Sequence, residues 1–92
     1  MNKQKLVEAV AKITKRPKAV VAEVLDAALE EIQSRVAKGD DVTLSGFGTF
    51  LLGKRKGGTG FNPHTGEPIE VEEMRLPKFR SGKGFREKVK RR

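Results

Sequence analysis

Apolar side chains recur at helical spacing over the first third of the chain. Leu6, Val7, Val10 and Ile13 line one side, Lys3, Glu8 and Lys12 occupy others, and Asn2 is a suitable N-cap. The pattern predicts a helix from Lys3 to Ile13. Thr14 to Arg16 breaks it, and Pro17 has the fixed φ and missing N–H that suit a helix start. A longer helix is predicted from Lys18 to Ala37, with Val21, Val24, Leu25, Ala28, Leu29, Ile32 and Val36 on a broad apolar face and Gly39 as its stop. That face is wide for one short neighbouring helix, so it suits a sheet, a second subunit, or both.

Beyond Gly39 the period changes to two. Val42 and Leu44 alternate with Asp41 and Thr43, and Ser45-Gly46 turns into Phe47-Gly48-Thr49-Phe50-Leu51-Leu52, which predicts two antiparallel strands. Phe47 and Phe50 are expected in the core, and Gly48 reads as a bulge or a close backbone approach. Between Leu52 and Ile69 the only large apolar side chain is Phe61. A connection of that length is either functional or disordered. Its turn residues, Asn62-Pro63-His64-Thr65-Gly66, lie between β-prone approaches and favour a protruding β-ribbon. Ile69 and Val71 restart a strand that continues towards Leu76; Pro77 keeps it from a central paired position, and Phe79 is an expected core anchor. Ser81 is expected to cap a last helix from Gly82 to Lys90, with Phe85 and Val89 inward and Lys83, Arg86, Lys90, Arg91 and Arg92 outward.

Composition narrows what such a chain can do. With 92 residues, and with the ribbon set aside, the core is near the size at which one chain becomes marginal, which suggests a partner subunit. There is no cysteine and one histidine, so disulfide frameworks and metal sites are not expected. No apolar run approaches the roughly 20 residues of a membrane span, and the N-terminus lacks a signal-peptide stretch. A soluble, cytoplasmic protein without a membrane partner is expected. The net charge of +8 is uneven: residues 1–45 hold eight basic and seven acidic side chains, residues 46–92 twelve and five. The second half reads as a surface for a polyanion, the plain alternative being a solubilising surface.

Enzymatic readings find little support. No glycine-rich loop precedes Lys-Ser or Lys-Thr, and Gly57-Gly58-Thr59-Gly60 lacks the strand-to-helix setting of a dinucleotide loop. His64 has no neighbouring nucleophile and carboxylate that would suggest a triad. No catalytic activity, cofactor or small-molecule substrate is expected. The pairs Glu30-Glu31 and Asp40-Asp41 read as solvated helix-end charges.

Three runs then carry a resemblance: Gly46-Phe47-Gly48-Thr49-Phe50, Gly60-Phe61-Asn62-Pro63-His64-Thr65-Gly66, and Leu76-Pro77-Lys78-Phe79-Arg80-Ser81-Gly82-Lys83. In this order and at these separations the chain resembles, over essentially its whole length, the bacterial histone-like DNA-binding proteins, HU and integration host factor, and most of all HU. The resemblance implies an α+β fold: a helical base with a three-stranded antiparallel sheet extended into a long β-ribbon arm, in an intertwined dimer. Residues 1–92 then make one histone-like domain, with 1–45 mainly helical and dimerising, 46–79 sheet and arm, and 80–92 a basic C-terminal helix.

By the same resemblance two arms grip double-stranded DNA in the minor groove, and Pro63 is the intercalating wedge that kinks it. Asn62 and Thr65 are its neighbours at the tip, Phe61 lies beside it, and Arg55 is an arm contact. Arg80, Lys83 and Arg86 line the saddle or its flanks, and Lys3 is a flank contact. From the local sequence alone Pro63 is equally a turn former; ordinary surface charge is the alternative for Arg80, Lys83 and Arg86, whose neighbours favour a shared DNA face. The implied role is bending and compacting DNA with low sequence specificity in the nucleoid, as a homodimer. A sequence-specific bending protein is the alternative within the family; an RNA-binding protein and a ribbon-swapping interaction module are alternatives outside it. Many relatives carry arginine where this chain has Gly53, Gly58 and Phe61, and often a basic residue in place of Thr59, so weaker arm electrostatics are expected.

Overall fold

The computed structural model describes residues 1–55, 58–71 and 74–91, with their side chains except those of residues 54, 55, 58, 59, 70 and 71. Residues Met1–Ser34 make one compact unit and Arg35–Arg92 a second.

In the first unit, helix α1 spans Lys3–Thr14. Asn2 caps it, its side-chain oxygen accepting the Lys5 amide at 2.9 Å, and Lys15 closes it in the left-handed region at φ 58°. Helix α2, Lys18–Ala37, begins after Pro17, whose carbonyl accepts the Val21 amide at 3.1 Å. Val7, Ala11 and Val21 form the buried cluster, with Val10, Ala22 and Leu25 packed on it. Ile13 remains 79% exposed and Val24 64%. The apolar face is therefore broader than what the unit covers by itself.

The second unit starts from the end of α2. Gly39, at φ 94°, donates to the Val36 carbonyl and Asp40 to that of Arg35, both at 2.9 Å, which satisfies the final turn in a Schellman arrangement. The Arg75 guanidinium adds a bond to the Ala37 carbonyl at 2.8 Å. Strands β1 (Val42–Leu44), β2 (Gly48–Arg55) and β5 (Met74–Ser81) form an antiparallel sheet in the order β1-β2-β5. Pro77 thus lies on an edge strand, where its missing N–H is tolerated. Strands β3 (Gly58–Phe61) and β4 (Pro68–Val71) form a separate two-stranded ribbon. Two residues lie between the sheet and the ribbon on each side, so the pairing Arg55↔Met74 passes to Gly58↔Val71 with no residue gained or lost. The ribbon is in register with the strands that lead to it.

Phe47 and Ser81 depart from their expected elements. Phe47 is not in a strand: Gly46, at φ 78°, forms the turn from Leu44, and the Phe47 amide bonds the Leu44 carbonyl at 3.0 Å. Ser81 does not cap the last helix, because it is held in β5 opposite Gly48. Gly82 takes the cap position of α3 (Lys83–Lys90) without a side-chain bond.

The four phenylalanines other than Phe61 associate around Phe47, whose ring centroid lies 6.3 Å from Phe50, 5.5 Å from Phe79 and 5.2 Å from Phe85. They form a cluster but not a sealed core, since Phe47 and Phe79 are 44% and 40% exposed. Val89, expected to face inward with Phe85, is also exposed.

Candidate nucleic-acid interface

The ribbon tip is a built turn. The Asn62 side-chain oxygen accepts the His64 amide at 2.8 Å, its carbonyl accepts the Gly66 amide at 2.7 Å, and its own amide donates to the Glu67 carbonyl at 2.8 Å. Thr65 Oγ1 takes the Glu67 amide at 3.3 Å, and Gly66 supplies the positive φ, 73°. Pro63, exposed, is held between these anchors. The side-chain oxygens of Asn62 and Thr65 are thus occupied in shaping the turn around Pro63. Phe61, 69% exposed, pairs with Pro68 across the base of the turn, leaving three apolar side chains at a tip with no core to enter.

The strand register sorts the sheet into two faces, since successive side chains alternate. Val42, Phe50, Leu52, Pro77 and Phe79 share one. Thr43, Thr49, Lys78 and Arg80 share the other, where the two threonine hydroxyls lie 3.2 Å apart. Arg80 therefore lies on the face away from the rings, with Lys78 two residues before it. Lys78 was missed by the sequence reading, although the period of two already placed it beside Arg80.

On α3, Lys83, Arg86 and Lys90 recur at helical spacing on a side distinct from Phe85 and Val89. Arg86 donates to the Ser81 carbonyl, which ties its guanidinium to the strand end and leaves further donors for a ligand. Gly84 lets the helix sit this close, because a Cβ there would be 2.8 Å from the Gly46 carbonyl oxygen. Lys83 is exposed at the first turn. Arg80, Lys83 and Arg86 all belong to the second unit. Lys3 belongs to the first, where it pairs with Asp26 at 2.8 Å. The backbone of Arg55 ends β2 opposite Met74, and its side chain lies outside the described residues.

The charge of the arm runs against that of the body. Residues 57–74 contain no lysine or arginine and four glutamates, Glu67, Glu70, Glu72 and Glu73. Residues 75–92 contain nine basic side chains and one acidic. No helix is long and apolar enough to cross a membrane, and no group of metal-ligating side chains occurs, among the described residues.

Comparison with known proteins decides the family, since residues 1–90 match the family described as bacterial DNA-binding protein. The chain belongs to this family. Among the family's members it is 49% identical over 89 residues to a DNA-binding protein HU of a Nostoc species, covering 97% of this chain and 95% of the relative. It is 42% identical over 89 residues to DNA-binding protein HU-beta of Pseudomonas aeruginosa, covering 97% and 99%. The family fold is equally clear in a cocrystal structure of Anabaena HU with DNA, which superposes with a TM-score of 0.87 at 48% identity over 100% of both chains.

Proposed function

We propose that this protein is a non-enzymatic architectural protein of the nucleoid that binds double-stranded DNA through the minor groove, with low sequence specificity, and bends it. The observation that carries this reading is the tip turn. Three hydrogen bonds anchored on Asn62, two through its backbone and one through its side chain, hold exposed Pro63 at the end of an in-register ribbon, in a chain similar to an HU protein crystallised with DNA. A rigid apolar wedge at that position unstacks a base step at a cost of a few kcal/mol, and the bend brings more protein surface onto the DNA. Phe61 then lies on the sugars beside the kink, Asn62 and Thr65 hold the wedge, and Arg55 reaches a phosphate. Arg80, Lys78, Lys83, Arg86 and Lys3 bind the flanking backbone. Minor-groove edges distinguish bases poorly, which favours low specificity over a sequence-specific role.

The working form is a homodimer. Val20, Val24 and Leu29 on α2 and the rings of Phe47, Phe79 and Phe85 are left 37–64% exposed by one chain, and a second copy would cover them. The deciding experiment is energy transfer between dyes at the ends of a short duplex, comparing the protein with Pro63→Ala over a salt series. Shortening that depends on Pro63 supports the kinking clamp. Binding without shortening would reduce the arms to an electrostatic grip.

A further inference from the structure

His64 is the one side chain between Gly57 and Met74 that can carry positive charge, and it stands next to the proposed wedge. Its side chain is exposed, and its backbone N–H is fixed by Asn62 Oδ1 at 2.8 Å, which sets where the ring leaves the turn. In a stretch, residues 57–74, whose other charged side chains are all acidic, a cation here has a large relative effect.

We propose that His64 is a DNA contact and that the grip of the arm is linked to its protonation, an inference that rests on the tip entering the minor groove. The walls of that groove are phosphates, and its floor at A·T pairs presents only acceptors. A neutral imidazole offers one donor, whereas an imidazolium offers two and a positive charge. Either surrounding therefore favours the charged ring, and binding draws a proton. Because the bound state holds the proton more tightly than the free state, affinity is gained as pH falls through the histidine range and lost as it rises.

The groups near enough to modulate this are few. Glu67 shares the turn and is exposed, Glu70 on β4 pairs with Thr59, and β3 contributes no titratable side chain. Carboxylates as a class titrate below this range, so they set a background without supplying the pH response.

The test uses the full chain and an end-labelled duplex, with affinity read by anisotropy from about pH 8 to about pH 6 at fixed ionic strength. Wild type, His64→Gln and His64→Lys are compared. Wild type should tighten by about sixfold per arm across that range. His64→Gln should lose this response, and His64→Lys should bind tightly at both ends of it. Every other titratable group is common to all three proteins, so the difference isolates His64. A His64→Gln variant that keeps the wild-type response would overturn the proposal, as would wild type that binds and bends DNA equally at both pH values. Absence of binding by all three at any pH would overturn the minor-groove reading, and this proposal with it.

Discussion

The ring of Phe79 lies directly over Gly48, where a Cβ would sit 2.5 Å from its Cε1 and Cζ and 2.7 Å from the Arg80 carbonyl oxygen. The two strands can pair at Gly48↔Ser81 and Phe50↔Phe79, with this ring between them, only because one position has no side chain. Gly48→Ala must displace either the ring or the strand, and overpacking of this kind costs about 1–3 kcal/mol. Its midpoint in urea should fall with little change in slope. A wild-type midpoint would mean that the ring swings aside freely.

Asn62 separates two effects that a single deletion would merge. Asn62→Ala removes the acceptor for the His64 amide and should loosen the tip by about 1 kcal/mol while leaving global stability unchanged. Hydrogen exchange at that amide should accelerate, and DNA bending should weaken. Asn62→Asp keeps an acceptor in place but adds a charge facing phosphates, so exchange should stay slow while binding falls. If both variants bend DNA like wild type, the clamp on Pro63 is not what positions the wedge.

The pair between Lys3 and Asp26 makes a different prediction. Their side chains are 60% and 54% exposed, so the pair contributes at most about 1 kcal/mol to stability. A phosphate can take Lys3 from Asp26 at little cost. Asp26→Asn should therefore melt close to wild type and bind DNA more tightly. Lys3→Gln should flatten the dependence of log affinity on log salt by about 0.9 per lost phosphate contact. An unchanged slope would place Lys3 off the DNA path.

Why some of this was legible in the sequence follows from where the constraints lie. Helix α2 is found at its expected limits, Lys18–Ala37, because Pro17 and Gly39 mark both ends chemically. The tip turn was legible for the same reason. Phe47 was misplaced because a glycine at positive φ ends the turn one residue later than alternation suggests. Ser81 mimics an N-cap in sequence, yet pairing with Gly48 holds it in the strand. The half-exposed rings mark the deeper limit: hydrophobicity identifies side chains that require cover, not the chain that supplies it. At the candidate site, the places of Pro63 in the tip turn and of Arg80 in the returning strand were readable from motif and order. The bonds that occupy Asn62 and Thr65 are a matter of geometry that composition does not encode.

Phe61 offers the sharpest test of how an arm whose outer stretch, residues 57–74, lacks lysine and arginine holds DNA. It is 69% exposed opposite Pro68, outside the cluster that joins the other four rings. If it lies against sugars or an opened base step beside Pro63, its contribution is apolar and depends on prior unstacking. Phe61→Ala should then weaken binding to nicked or pre-bent DNA more than to straight duplex, by about 1–3 kcal/mol for a lost base–aromatic contact. Phe61→Arg should show the opposite balance, with tighter binding to straight duplex at low salt and a steeper salt slope. Equal losses on both DNA forms for Phe61→Ala, or none, would assign the ring to stiffening the ribbon. The grip would then rest on Pro63 and on the basic face of the body.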